Sequence, residues 1–178
     1  MKKFNEDKAV GYLSEIFALE CGFGEKKARM IRNAAFLHDI GKLKLPKSLM
    51  ENPGELTEQE MEVIKTHTKL GAAIVSSIQG EIGEYATMIC LHHHEWYSGG
   101  GYWGIPTKYL PDYVPLVSLS DVYVSLITER PYKDAWSSDE ALDYIKKQAG
   151  TQFETDLAEY FISMIRHDSR VSAIFAGM

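Results

Sequence analysis

Ala28-Arg29-Met30-Ile31-Arg32-Asn33-Ala34-Ala35-Phe36-Leu37-His38-Asp39-Ile40-Gly41-Lys42 opens as an amphipathic helix and ends on residues foreign to one. Ala28, Ile31, Ala35 and His38 recur at helical spacing and mark a single inward face, before Gly41 and Pro46 break the chain. His38 thus stands where an apolar side chain belongs, and Asp39 follows it directly. A buried, ionised carboxylate is costly unless a cation or good donors meet it.

Outward from this stretch the helical signals continue. Val10, Leu13 and Phe17 mark a first helix, which Gly22 and Gly24 end. Thr57 and Glu60 have capping-box spacing and are expected to open a long helix through about residue 77. Another helix is expected from about residue 81 to 93, with further ones near Tyr113, Ser137 (with Glu140 as a second capping box) and Phe153. No strand-like alternation of useful length appears, so the fold class is all-α, a compact helical bundle. Residues 95–112 differ in kind: Trp96, Tyr97, Tyr102 and Trp103 alternate with Gly99, Gly100, Gly101 and Gly104, and Pro106 and Pro111 follow. This reads as a long functional loop. No repeat or linker interrupts residues 1–178, which are read as a single domain.

With 178 residues, 45% of them hydrophobic, the chain is long enough to bury one core. Its formal net charge of -6 repels a long phosphate backbone, which argues against duplex nucleic acid. A small phosphorylated ligand in a locally positive pocket is compatible with it. Cys21 and Cys90 have neither CxxC spacing nor a disulfide pattern and suit a reducing compartment. No membrane insertion is expected, because no apolar run approaches a spanning length; a cytoplasmic location follows.

Further polar residues lie on apolar stripes. His67 is grouped with Val63, Leu70 and Ile74; His93, with His94 beside it, follows Ile82, Ala86 and Ile89; Asp121 falls among Val114, Val117 and Val124. One such histidine is most often a hydrogen-bonded core residue. Here the cases coincide, with five of the six histidines between His38 and His94 and two acids joining them. Imidazole plus carboxylate is a ligand set for Fe, Mn or Zn, and a pair of ions needs a shared carboxylate. His167 stands alone near the C-terminus.

The order of these residues resembles a known family. His38-Asp39-Ile40-Gly41-Lys42 is similar to the signature of HD-domain phosphohydrolases. Pro53-Gly54-Glu55-Leu56-Thr57, His67 with Gly71, His93-His94-Glu95, residues 99–102, Asp121-Val122-Tyr123 and Arg130-Pro131-Tyr132-Lys133 resemble the HD-GYP subgroup, cyclic di-GMP phosphodiesterases of bacterial signalling. The resemblance implies two divalent ions, Fe or Mn with Zn as the alternative. His38, Asp39 and Asp121 would hold one, and Asp39 would bridge to a second held by His67, His93 and His94. It further implies that Lys42 assists at the phosphate, that Arg130 and Lys133 clamp it, and that Gly101 and Tyr102 contact a cyclic dinucleotide substrate.

The chain also departs from that pattern. The family's first ligand histidine falls on Glu6, its loop aspartate on Ser98 and its loop proline on Trp103. Val114-Pro115 and Val124 replace an Ala-Arg pair and a second acid. Two functions are therefore expected: a two-metal phosphodiesterase, or a weakly active or inactive domain serving as nucleotide receptor or protein-interaction module. A protein partner would dock at the loop of residues 96–104.

Overall fold

The computed structural model describes residues 5–52, 54–129 and 134–176, and among these every regular element is helical. α1 (Glu6–Glu20) begins at Asn5, whose side chain accepts the Lys8 amide at 2.9 Å. It packs against α2 (Glu25–Ala35) and α7 (Val114–Ile127). Gly11 of α1 permits the first contact: a Cβ there would lie 2.3 Å from the Phe36 ring and 2.9 Å from the Arg32 carbonyl. α7 is buried almost all round, through Val114, Leu116, Val117, Leu119, Tyr123 and Val124, as expected of a central helix. α9 (Thr155–His167) closes the core from the other side, with Phe161 edge-on to Phe17 at 5.0 Å and to Tyr123 at 5.7 Å. A short α10 (Ser169–Phe175), which periodicity did not reveal, lies against α1.

Three local expectations are corrected. His38 does not complete α2, which stops at Ala35; Phe36 caps it, and a turn leads into a 3₁₀ segment at Ile40–Lys44. After the one-turn α3 (Lys47–Met50), the long helix from Thr57 is two helices, α4 (Glu58–Lys65) and α5 (His67–Val75). At their junction the Thr66 hydroxyl donates back to the Val63 carbonyl at 2.6 Å, a local bond that competes with the helical ladder. The inward face beside His67 is consequently Thr68, Gly71, Ala72 and Val75, while Val63 is exposed.

Both capping boxes form, at Thr57 with Glu60 and at Ser137 with Glu140. Their substitution is expected to differ in effect. α8 (Ser138–Lys147) buries Ala141, Leu142 and Ile145, so Ser137→Ala should lower global stability by about 1 kcal/mol in denaturant unfolding. α4 buries no residue, so Thr57→Ala should fray α4 locally in hydrogen exchange and leave the global midpoint in place.

Candidate metal centre

Five elements converge at the middle of α7. α1 supplies Asp7, the turn after α2 supplies His38 and Asp39, α5 begins with His67, α6 (Glu81–His92) leads into His93 and His94, and α7 carries Asp121. Small residues make the convergence sterically feasible. A Cβ on Gly41 would lie 1.9 Å from the His67 carbonyl oxygen and 2.5 Å from the Gly71 nitrogen, so the 3₁₀ segment rests on α5 backbone to backbone. Cross-links fix the remaining ligand-bearing segments. The Ser118 hydroxyl donates to the His93 carbonyl at 2.6 Å, tying the end of α6 to α7 one turn before Asp121. The buried Cys90 thiol donates to the Leu37 carbonyl at 3.2 Å, beside His38.

The imidazoles are oriented by backbone. His38 Nδ1 donates to Ala35 O at 2.8 Å, His67 Nδ1 to Ile64 O at 2.7 Å, and His93 Nδ1 to Ile89 O at 2.9 Å. This assignment turns each Nε2 inward, as in rings held by an outer hydrogen bond for metal ligation. His67 Nε2 lies 3.1 Å from Asp39 Oδ1 and 3.4 Å from His93 Nε2; His38 Nε2 lies 3.5 Å from Asp39 Oδ2 and 3.4 Å from Asp121 Oδ1. Asp39 Oδ1 is buried without a hydrogen-bond partner. Lone pairs from neutral imidazole and carboxylate facing each other this closely need a positive charge between them, either a proton or a metal ion.

The electrostatics fit that demand. Burial opposes charge on His38, but the Asp39 and Asp121 carboxylates outweigh it and push its pKa up to about 9. Burial raises the cost of the two carboxylates as well, yet the neighbouring His38 holds both below the usual carboxylate range. His93 is held well below its ordinary value by burial and the neighbouring His94. Burial likewise takes His94 down to about 4, leaving both as neutral donors. The possible ligand atoms form three groups, each within 4.8 Å: Asp39, His67, His93 and His94; His38, His93 and Asp121; and Asp7, His38 and Asp39. Asp39 is common to the first and third, the sharing that a pair of ions would require.

The HD domain model, a protein-family description, matches residues 3–157. The chain belongs to the HD-domain family. The cyclic di-GMP phosphodiesterase response regulator RpfG of Xanthomonas campestris is 38% identical over 146 residues, covering 82% of this HD chain and 39% of RpfG. A cyclic di-GMP phosphodiesterase of Thermotoga maritima is 33% identical over 92% of the chain and 45% of its own length. The chain thus spans less than half of either relative. Bd1817, an HDG"Y"P protein from Bdellovibrio bacteriovorus, shares the fold with a TM-score of 0.72 at 20% identity, covering 90% of this chain and 51% of that one. The HD domain of Listeria monocytogenes PgpH, solved in complex with cyclic di-AMP, has a TM-score of 0.64 at 18% identity, covering 97% and 91%.

Around this HD centre, the structure brings together His38, Asp39, His67, His93, His94 and Asp121, the ligands named from sequence. Glu6 belongs to none of the three groups, and the neighbouring Asp7 does. Asp7 shares its stripe with Gly11, which lies against the Phe36 ring and the Arg32 carbonyl, and although it is exposed its carboxylate comes within 4.8 Å of the His38 and Asp39 ligand atoms. Lys42 contacts the Asp39 carboxylate at the edge of the cluster. The Tyr102 ring lies 4.4 Å from that of His94, and its hydroxyl pKa is raised by burial, with Lys42 opposing and Asp121 and Asp39 adding to the rise. Gly101 lies against the ligand backbone: a Cβ would come within 2.5 Å of His94 O. Arg130 and Lys133 lie outside the described residues, as does Pro53. Pro115 sits in the first turn of α7, where a missing amide costs nothing, and Val124 is fully buried in the core. His167 is at the surface. Among the described residues, no helix is long and apolar enough to cross a membrane.

Proposed function

We propose that the chain hydrolyses a phosphodiester bond of a cyclic dinucleotide, cyclic di-GMP first, at a centre of two divalent cations, Fe or Mn, with Zn as the alternative. The carrying observation is Asp39, whose Oδ1 is buried without a hydrogen bond while two inward imidazole nitrogens, from His67 and His93, lie 3.1 and 3.8 Å away. Asp39, His67, His93 and His94 would hold one ion. His38, Asp39 and Asp121 would hold the other, with Asp7 in the place that alignment alone gives to Glu6. When bound, such ions neutralise developing charge on a phosphoryl group and acidify a water molecule. The names of the Xanthomonas and Thermotoga relatives support the reaction and the substrate class.

The chain's own residues would do the rest. Lys42, with its ammonium at the rim beside Asp39, offsets charge on the phosphate as a point charge. Tyr102 and Gly101 form the wall over His94 against which a nucleotide would rest. Arg130 and Lys133 are assigned to the second flank of the phosphate by sequence alone. Free thiols at Cys21 and Cys90 suit the cytoplasm, where this activity is placed.

Mn- or Fe-loaded protein is expected to convert cyclic di-GMP to a linear product. Lys42→Ala should lower kcat/KM by about 10²–10³ with metal content intact, the range for losing a charge-stabilising donor. Tight binding of cyclic di-GMP without cleavage, in protein carrying both ions, would replace the enzyme by a receptor. The ligand assignment has its own test in metal titration. Asp7→Ala should weaken the ion held by His38, Asp39 and Asp121 at least about tenfold, whereas Glu6→Ala should leave both affinities unchanged. The opposite pattern would restore Glu6.

A further inference from the structure

Glu95 follows the two ligand histidines directly and is only 2% exposed, a setting in which a carboxylate is readily read as one more metal ligand. It belongs to none of the ligand groups. Both of its oxygens are instead taken by backbone of the glycine- and aromatic-rich loop: Oε1 accepts the Trp103 amide at 2.7 Å, and Oε2 accepts the Ile105 amide at 2.9 Å. The same loop is fastened to the other ligand-bearing segment as well, because the Trp103 indole donates to the Thr68 hydroxyl at 3.1 Å, next to His67. Between these anchors Gly101 lies so close that a Cβ would be 2.5 Å from Glu95 Cα, and Tyr102 settles on the His94 ring.

We infer that Glu95 is a positioning residue: it locks the loop onto the ligand-bearing end of α6 and so sets where Tyr102 stands over the metal centre. Removing the carboxylate leaves two part-buried amides without acceptors, and they regain partners most readily if the loop lifts into water. The metal ligands keep their own backbone bonds through Ile64, Ile89 and Ala35, so the loop is released while the centre stays. Glu95 therefore acts on substrate binding and not on the chemistry of the ions. The kinetic consequence rests on the phosphodiesterase reading; the structural one does not.

The test uses Glu95→Ala and Glu95→Gln in metal-loaded protein carrying Trp136→Phe, which leaves Trp96 and Trp103, both in the loop, as the only tryptophans. Acrylamide quenching of their fluorescence should rise in Glu95→Ala and rise less in Glu95→Gln, which keeps one acceptor oxygen. KM for cyclic di-GMP should increase about 10- to 100-fold, the scale of a misplaced binding element. Metal content, and turnover of bis(p-nitrophenyl) phosphate, which needs only the ions, should stay at the parent level. Unchanged quenching and KM, or loss of metal in either variant, would overturn the assignment. If the parent cleaves bis(p-nitrophenyl) phosphate but not cyclic di-GMP, the substrate reading fails, and quenching alone decides the role of Glu95. Should Glu95→Ala not fold, the Glu95→Gln quenching and KM decide it.

Discussion

Asp39→Ala is expected to reduce cyclic di-GMP hydrolysis by more than about 10³-fold and to empty the centre of at least one ion. Loss of a single charge-stabilising donor costs about 10²–10³, and Asp39 is shared by two of the ligand groups. Its Oδ1 lies 3.1 Å from His67 Nε2 and its Oδ2 3.5 Å from His38 Nε2, so one side chain joins both halves of the cluster. Without it the His67 imidazole loses the carboxylate 3.1 Å away, and His38 is left with Asp121 alone. Elemental analysis and turnover should fall together in Asp39→Ala, in contrast to Lys42→Ala, where turnover alone falls. Retained activity in an Asp39→Ala protein would place the reaction elsewhere on the molecule.

Gly41→Ala should be strongly destabilising for a single added methyl group. The added carbon would sit 1.9 Å from His67 O, 2.8 Å from His67 C and 2.5 Å from Gly71 N, all backbone atoms that cannot rotate away. The 3₁₀ segment must then lift off α5 and carry Asp39 away from His67. Overpacking of this kind costs about 3 kcal/mol, which for a chain of this size lowers Tm by about 6–12 °C. Metal affinity should fall with it, since the two ligands no longer meet. Gly24→Ala is the control: it has nothing within 4 Å of an added Cβ and should shift Tm little. An undisturbed Gly41→Ala protein would mean that the two segments do not touch.

Most of the centre was legible in the sequence because its ligands break a pattern. His38, His93 and Asp121 interrupt apolar stripes, and a polar side chain facing a core demands an explanation that chemistry supplies. The helices themselves were legible from periodicity and from the two capping boxes, which need only local spacing. What escaped depends on tertiary geometry. The break at Thr66 reverses the meaning of Val63, which periodicity assigned to the core and which lies exposed. Asp7, whose carboxylate is grouped with His38 and Asp39, was not singled out, because counting along one helix fixes a position only to within a residue and that single step turns a side chain by about 100°. Glu95 escaped because its partners are backbone amides 8 and 10 residues away, a loop closure that no periodicity announces. The clusters around His67 and His93 were visible as composition; that Gly41 and Gly71 allow them to meet is visible only in space.

Occupancy of these side chains by two ions is tested most directly by metal content per chain in anaerobically purified protein, with thermal melting before and after chelation. Two Fe or Mn ions per chain are expected, and because ions bind the assembled site and not the unfolded chain, chelation should lower Tm. Protein that carries no metal, takes up none on titration with Mn or Fe, and melts identically with chelator would show that His38, His67, His93 and His94 are core histidines held by protons alone.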